Sequence, residues 1–197
     1  MLTLDHLVVS TTTLAEGAAE IEAKLGVPLD SGGQHPAFGT HNRLLSLGPD
    51  DYLEVIAIDP NAAAPTRSRW FALDRFRGST RLTNWAVRTT NLSEALALGV
   101  AEGTPVAASR GALRWTMVVP DDGELPLNGI APALLQWRGT AHPCDSLPDR
   151  GVRLKTLLLS HPDIDERFLP ADPRVKTERG PQAISATFET PSGDVTL

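Results

Sequence analysis

Apolar residues dominate Leu4-Asp5-His6-Leu7-Val8-Val9-Ser10 and give way to the Thr-rich stretch Thr11-Thr12-Thr13, the pattern of a strand that runs into a turn. The same order returns at Leu82-Thr83-Asn84-Trp85-Ala86-Val87-Arg88 before Thr89-Thr90-Asn91, an offset of 84 − 6 = 78 residues when His6 is laid on Asn84. A helix should follow each strand. In the first copy Leu14, Ala18, Ile21 and Leu25 form one apolar stripe, Thr13-Leu14-Ala15-Glu16 has capping-box form, and Gly26 with Pro28 provides the stop. In the second copy Leu92, Leu96 and Val100 fall in line, with Gly103 as the stop.

Three short strands follow the first helix, near 27–31, 43–47 and 52–58, joined by the glycine-punctuated stretch 32–42 and the turn Gly48-Pro49-Asp50-Asp51. Gly32-Gly33 reads as a plain turn. Strands at 105–108, 113–119 and 133–137 repeat that order in the second copy, where Gln136 of Ala133-Leu134-Leu135-Gln136-Trp137 takes the place of Glu54. The expected fold class is α+β: paired β-α-β-β-β modules over 1–60 and 82–140, with a connector at 61–81 carrying a short helix near 67–75. Residues 141–197 read as a linker and a partial third module packed into the same domain. Its strands are expected at 154–160, 174–177, 184–188 and 194–197, with a short helical segment at 162–168.

Glu54 is the conspicuous residue of the first module, because strand alternation puts it on one face with Tyr52, Ile56 and Ile58. An unpaired carboxylate on such a face costs several kcal/mol when buried, so Glu54 needs a cation, a proton or a strand end. By the same alternation Trp85 and Trp137 should face away from Asn84 and Gln136. His35 and His41 flank a strand start beside the presumed cleft opening, and Arg43 is placed to receive a carboxylate.

Composition narrows the chemistry. A net charge of −6 and the lack of a Lys/Arg cluster argue against a nucleic-acid partner. The apolar runs are too short to cross a bilayer and no basic leader precedes Leu2, so the chain is expected to be soluble and cytoplasmic, with no membrane partner. Cys144 is the single cysteine, which rules out an internal disulfide and a thiolate metal site.

The two modules, with His35-Pro36-Ala37-Phe38-Gly39-Thr40-His41-Asn42 before Tyr52-Leu53-Glu54-Val55-Ile56-Ala57 and Leu135-Gln136-Trp137-Arg138-Gly139 before His142-Pro143, resemble the glyoxalase-like domain branch of the vicinal oxygen chelate superfamily. The resemblance implies an open cleft of curled sheet and a divalent metal (Fe, Mn, Ni or Zn) held by side chains from the first and last strands of the modules. Carried over by position, it assigns His6 and Glu54 as metal ligands, with Asn84 and Gln136 opposite them. Those amides depart from the metal-binding pattern, so His35, His41 or a partner chain would have to add a third ligand.

Three chemistries stay open for a small-molecule substrate or ligand. One is a metal-dependent lyase, isomerase or dioxygenase, with Glu54 or a histidine such as His41 moving the proton. Another is a metal-free binding or resistance-type protein that uses His6, His35, Asn84, Gln136 and Arg43 as contacts. The last is a metal-free enzyme with His6 or His41 as acid/base. A homodimer is expected by the same resemblance.

Overall fold

A computed structural model describes residues 1–166 and 169–197 of the chain. The first module is β1 (Leu2–Ser10), α1 (Leu14–Leu25), β2 (Asp30–His35), β3 (Thr40–Ser46) and β4 (Tyr52–Ile58). The second is β5 (Arg81–Thr89), α2 (Leu92–Ala97), β6 (Thr104–Arg110), β7 (Leu113–Val119) and β8 (Ala133–Trp137). All eight strands form one sheet in the order β2-β3-β4-β1-β5-β8-β7-β6. The modules join where β1 runs antiparallel to β5, and each closing strand pairs parallel with its own module's first strand, β4 with β1 and β8 with β5.

The sheet curls until its edges approach: Arg110 at the end of β6 reaches across to Asn42 on β3. A Cβ added to Gly33 on β2 would lie 2.3 Å from Arg110 Cδ, and one added to Gly32 would lie 2.0 Å from Asn42 Oδ1. The two glycines therefore do not make the plain turn expected of them. They sit in a strand, at an irregularity in its pairing with β3, where larger residues would block the crossing.

α1 buries Gly17, Ala18, Ile21 and Leu25 and ends at Gly26 in the left-handed region (φ 71°), as its stripe and stop residue anticipate. The capping box does not form, since no hydrogen bond reaches the Thr13 side chain. α2 is shorter than its stripe suggests, because the chain turns back at Leu98–Gly99. The connector holds only a 3-10 turn at Trp70–Ala72 in place of the expected helix.

The C-terminal part contributes a second sheet, ordered β10-β9-β11-β12, from β9 (Arg153–Ser160), β10 (Val175–Glu178), β11 (Ala183–Thr190) and β12 (Gly193–Thr196). Its pairing differs from that of the two modules, since β9 runs parallel to the next strand, β10, rather than to the last one; the expected helical segment at 162–168 extends beyond the described residues. Its Leu157, Leu159 and Phe188 join Leu7, Trp85, Leu134, Ile21 and Leu25 in one buried cluster, so helices and second sheet share one face of the main sheet. The opposite, concave face carries its own cluster, including Val8, Ile56, Ala86, Trp115 and Leu135. No helix among the described residues is long and apolar enough to cross a membrane.

Candidate functional site

β1 and β4 lie side by side at the floor of the concave face and aim His6, Tyr52 and Glu54 into it. The pairing of β1 with β5 skips Asp5, which bulges out between Leu4 and His6. That bulge turns a carboxylate toward the ring of its own neighbour. Asp5 Oδ1 lies 2.7 Å from His6 Nδ1, and Oδ2 accepts from Trp137 Nε1 at 2.8 Å and stands 3.3 Å from His142 Nε2 and 3.4 Å from Arg88 Nη1. Burial alone would raise the pKa of this wholly buried acid, yet the hydrogen bonds from His142 and His6 outweigh it and hold Asp5 well below the usual carboxylate range.

An ionised Asp5 accepts and does not donate, so the proton of neutral His6 sits on Nδ1 and its Nε2 presents a lone pair to the interior. Nε2 faces Glu54 Oε2 at 3.6 Å. At that separation the two groups can exchange a proton. Asn42 Nδ2 donates to Glu54 Oε1 (2.5 Å), while its Oδ1 accepts from Arg110 Nη1 (2.9 Å) and from the Gly33 N–H (2.8 Å). The guanidinium thus acts on Glu54 through one oriented amide. Tyr52 stacks on the His6 ring at 4.7 Å, and burial followed by the nearby Asp5 and Glu54 charges raises its pKa, keeping its hydroxyl protonated.

Trp70, Trp115 and Trp137 wall the chamber, whose free volume is about 30 Å³, room for a water or two or for the reacting end of a small molecule. Trp70 Nε1 is buried and has no acceptor among the described residues. His35 stands against Trp70 and Trp115, its Nδ1 3.1 Å from Thr40 Oγ1.

Of the residues singled out by sequence, His6, Glu54 and His35 meet in the chamber. The other four do not. His41 and Arg43 lie on the opposite face of β3 from Asn42, and Arg43 approaches Glu22 of α1 at 3.9 Å. Gln136 accepts from the Leu92 N–H (3.3 Å) and donates to Thr90 O (2.9 Å), capping α2 while its neighbours Leu135 and Trp137 take the cleft. Asn84 shares the cleft face with Ala86 but lies beyond the chamber, in a separate hollow. Asp5, Asn42, Arg110 and His142 are not marked as site residues by the sequence. The even spacing of Thr40 and Asn42 on one strand face is the signal that could have marked one of them.

Strand pairing shows what faces the first module's pair. His6 lies opposite Ala86 across the central strands, with Asn84 two residues away on the same face, and on β8 it is Leu135, not Gln136, that lines the chamber. His6 and Glu54 therefore face Ala86 and Leu135. A divalent metal would meet two donors on one side and two hydrocarbon side chains on the other, with the Arg110 guanidinium close by. Among the described residues no group of three His, Cys, Asp or Glu side chains is placed to hold a metal ion. This donor set does not fit the four-ligand metal site that the superfamily resemblance implies.

A family model described as "Glyoxalase-like domain" matches residues 4–168. Among solved structures, a hypothetical protein from Staphylococcus aureus superposes with a TM-score of 0.59 at 13% identity, covering 100% of this chain and 84% of that one. A hypothetical protein from Bacillus halodurans C-125 gives 0.49 at 15% identity, over 72% of this chain and 96% of that one. The methylmalonyl-CoA epimerase from Mycobacterium tuberculosis gives 0.46 at 18% identity, over 70% and 88%. No curated protein matches the chain.

Proposed function

This chain belongs to the glyoxalase-like domain family, and from that premise we propose that it is a metal-independent acid–base enzyme acting on a small carbonyl compound, with His6 and Glu54 as the proton-transferring pair. The observation that carries the reading is the line Asp5–His6–Glu54, in which a fixed tautomer presents one free ring nitrogen to a carboxylate 3.6 Å away. Glu54 takes a proton from the carbon next to the carbonyl, and protonated His6 gives one to the oxygen or to the adjacent carbon. A proton passing from Glu54 to His6 resets the pair. The net reaction is an isomerisation that needs no oxidant or reductant. Asn42, held by Arg110, fixes the orientation of the Glu54 carboxylate, and Trp70 Nε1 is a donor for the oxygen of the bound carbonyl.

The test is carbon-bound hydrogen exchange in D2O, followed by proton NMR on a panel of 2-oxo acids, 3-oxo acids and hydroxyketones with EDTA present throughout. Wild type is expected to exchange at least one of them under chelation. Glu54→Gln and His6→Ala should each lose about 100-fold or more, and Asp5→Asn, acting through the His6 ring, about 10- to 100-fold. Exchange that stops with EDTA and returns with Fe, Mn, Ni or Zn would overturn the proposal in favour of a metal enzyme. Exchange of no compound in the panel would leave the cleft as a binding site only.

A further inference from the structure

The concave face does not end at the chamber. Two residues further along β5 from Ala86, roughly 7 Å at the ordinary strand rise, the Asn84 side chain enters a hollow of about 410 Å³. Its walls come from three distant parts of the chain: the connector (Phe71, Phe76), the loop before β8 (Leu125, Asn128) and the turn into β11 (Gln182). Asn84 is only 5% exposed, yet among the described residues its amide has no hydrogen-bond partner in the protein. The amide therefore offers a free donor and a free acceptor to whatever occupies the hollow.

Two further observations bear on the same place. Arg81 stands at the rim with its guanidinium 4.4 Å from the Phe76 ring centroid and its Nη1 on the carbonyls of Arg77 and Ser79. Among the described residues no carboxylate partners it, whereas the neighbouring Arg75 is held by Asp122 and Glu124. The four non-glycine residues with positive φ among those described, Phe71 (57°), Ala72 (51°), Leu127 (56°) and Asn128 (52°), all lie in the two loops that border the hollow. These loops are tied by the Ala72 N–H donating to Gly123 O (2.8 Å). Strained backbone kept at two loops around one cavity is a common mark of a ligand clamp. Phe71 lines both the hollow and the chamber, so the two adjoin at its side chain.

We infer that the Asn84 hollow is the tail compartment of the same active site, taking an apolar body that carries a carboxylate, with the anion on Arg81 and a polar atom on Asn84. This rests on the chamber being where the reacting carbonyl binds, and it names the substrate class as a carbonyl compound with an apolar tail ending in an anion. The chamber admits only the reactive end, and the hollow supplies the volume for the remainder.

The experiment is isothermal titration of the whole chain with 3-phenylpropanoate, with 3-phenylpropanamide as the uncharged control. Chemical-shift mapping locates the site. The acid should bind, and the amide should bind about tenfold or more weakly, as expected when a charge-assisted hydrogen bond is lost. Arg81→Gln, at an exposed position, and Asn84→Leu should each weaken the acid by a similar factor, while Glu54→Gln and the surface change Arg43→Gln leave it unaltered. Melting temperatures identify any variant that has lost its fold, and Arg81→Gln alone suffices if Asn84→Leu is one. No binding to wild type, equal affinity for acid and amide, undiminished affinity in Arg81→Gln, or shifts centred on Arg110 and His142 would each overturn the inference. Binding here without hydrogen exchange would uphold the compartment as an organic-anion site and sink the acid–base reading, so the two failures are distinguishable.

Discussion

His35 is 5% exposed between Trp70 and Trp115, and burial, reinforced by the Arg110 charge, lowers its pKa from the ordinary 6.5 to about 3. The folded state therefore refuses a proton that the unfolded chain accepts. Stability from this residue is complete above about pH 6.5 and is lost as pH falls toward 3, at about 1.4 kcal/mol per pH unit. Urea midpoints measured from pH 8 to pH 4 should fall steeply for wild type and less steeply for His35→Gln. Equal slopes would mean that His35 takes up its proton without unfolding. His6 and Glu54 were legible in the sequence because imidazole and carboxylate groups stand out in strands that are otherwise apolar, and His35 because it flanks a strand start beside the cleft. Asp5 and Arg110 were not, since a bulge and a crossing between sheet edges decide where their side chains go, and neither leaves a local pattern.

The strands themselves were visible from alternation and turn residues, but register is not a local property. Laying Gln136 on Glu54 by sequence order was one residue out at β8, where Leu135 takes the cleft and Gln136 does not, whereas Asn84 keeps the cleft face two residues from the Ala86 that lies opposite His6. A one-residue slip in a strand moves every side chain to the other face, and that is how a helix cap came to be read as a cleft ligand. Gly32-Gly33 was misread for a related reason, since its necessity lies in what crosses it. The close approaches separate the two glycines. A Cβ at position 32 would meet backbone as well as side chain, with Asn42 O at 2.6 Å, whereas one at position 33 meets the movable Arg110 side chain. Gly32→Ala should therefore cost about 1–3 kcal/mol in urea unfolding and Gly33→Ala clearly less. The reverse order would show that β2 does not approach β3 and β6 in this way.

Above the level of elements, the paired modules were readable because a repeat carries its own evidence. The C-terminal segment was readable only as strands: residues 141–197 make a sheet of different topology that borrows its core from the first two modules. Ile21, Trp85, Leu134 and Phe188 belong to one buried cluster, so the second sheet should not melt by itself. The chain carries its own reporter for this, since all four tryptophans lie between positions 70 and 137 and none lies in the second sheet. Phe188 is fully buried, and Phe188→Ala should remove about 3–5 kcal/mol, or on the order of 10 °C in Tm for a chain of this size. If the two sheets unfold as one unit, tryptophan fluorescence will shift by the same amount as far-UV circular dichroism, although the substitution lies outside every segment the fluorescence reports. A fluorescence transition left in place while part of the dichroism melts earlier would show instead that the eight-stranded sheet and its cleft stand without the second sheet, and the hollow walled partly by Gln182 would then open at the lower temperature.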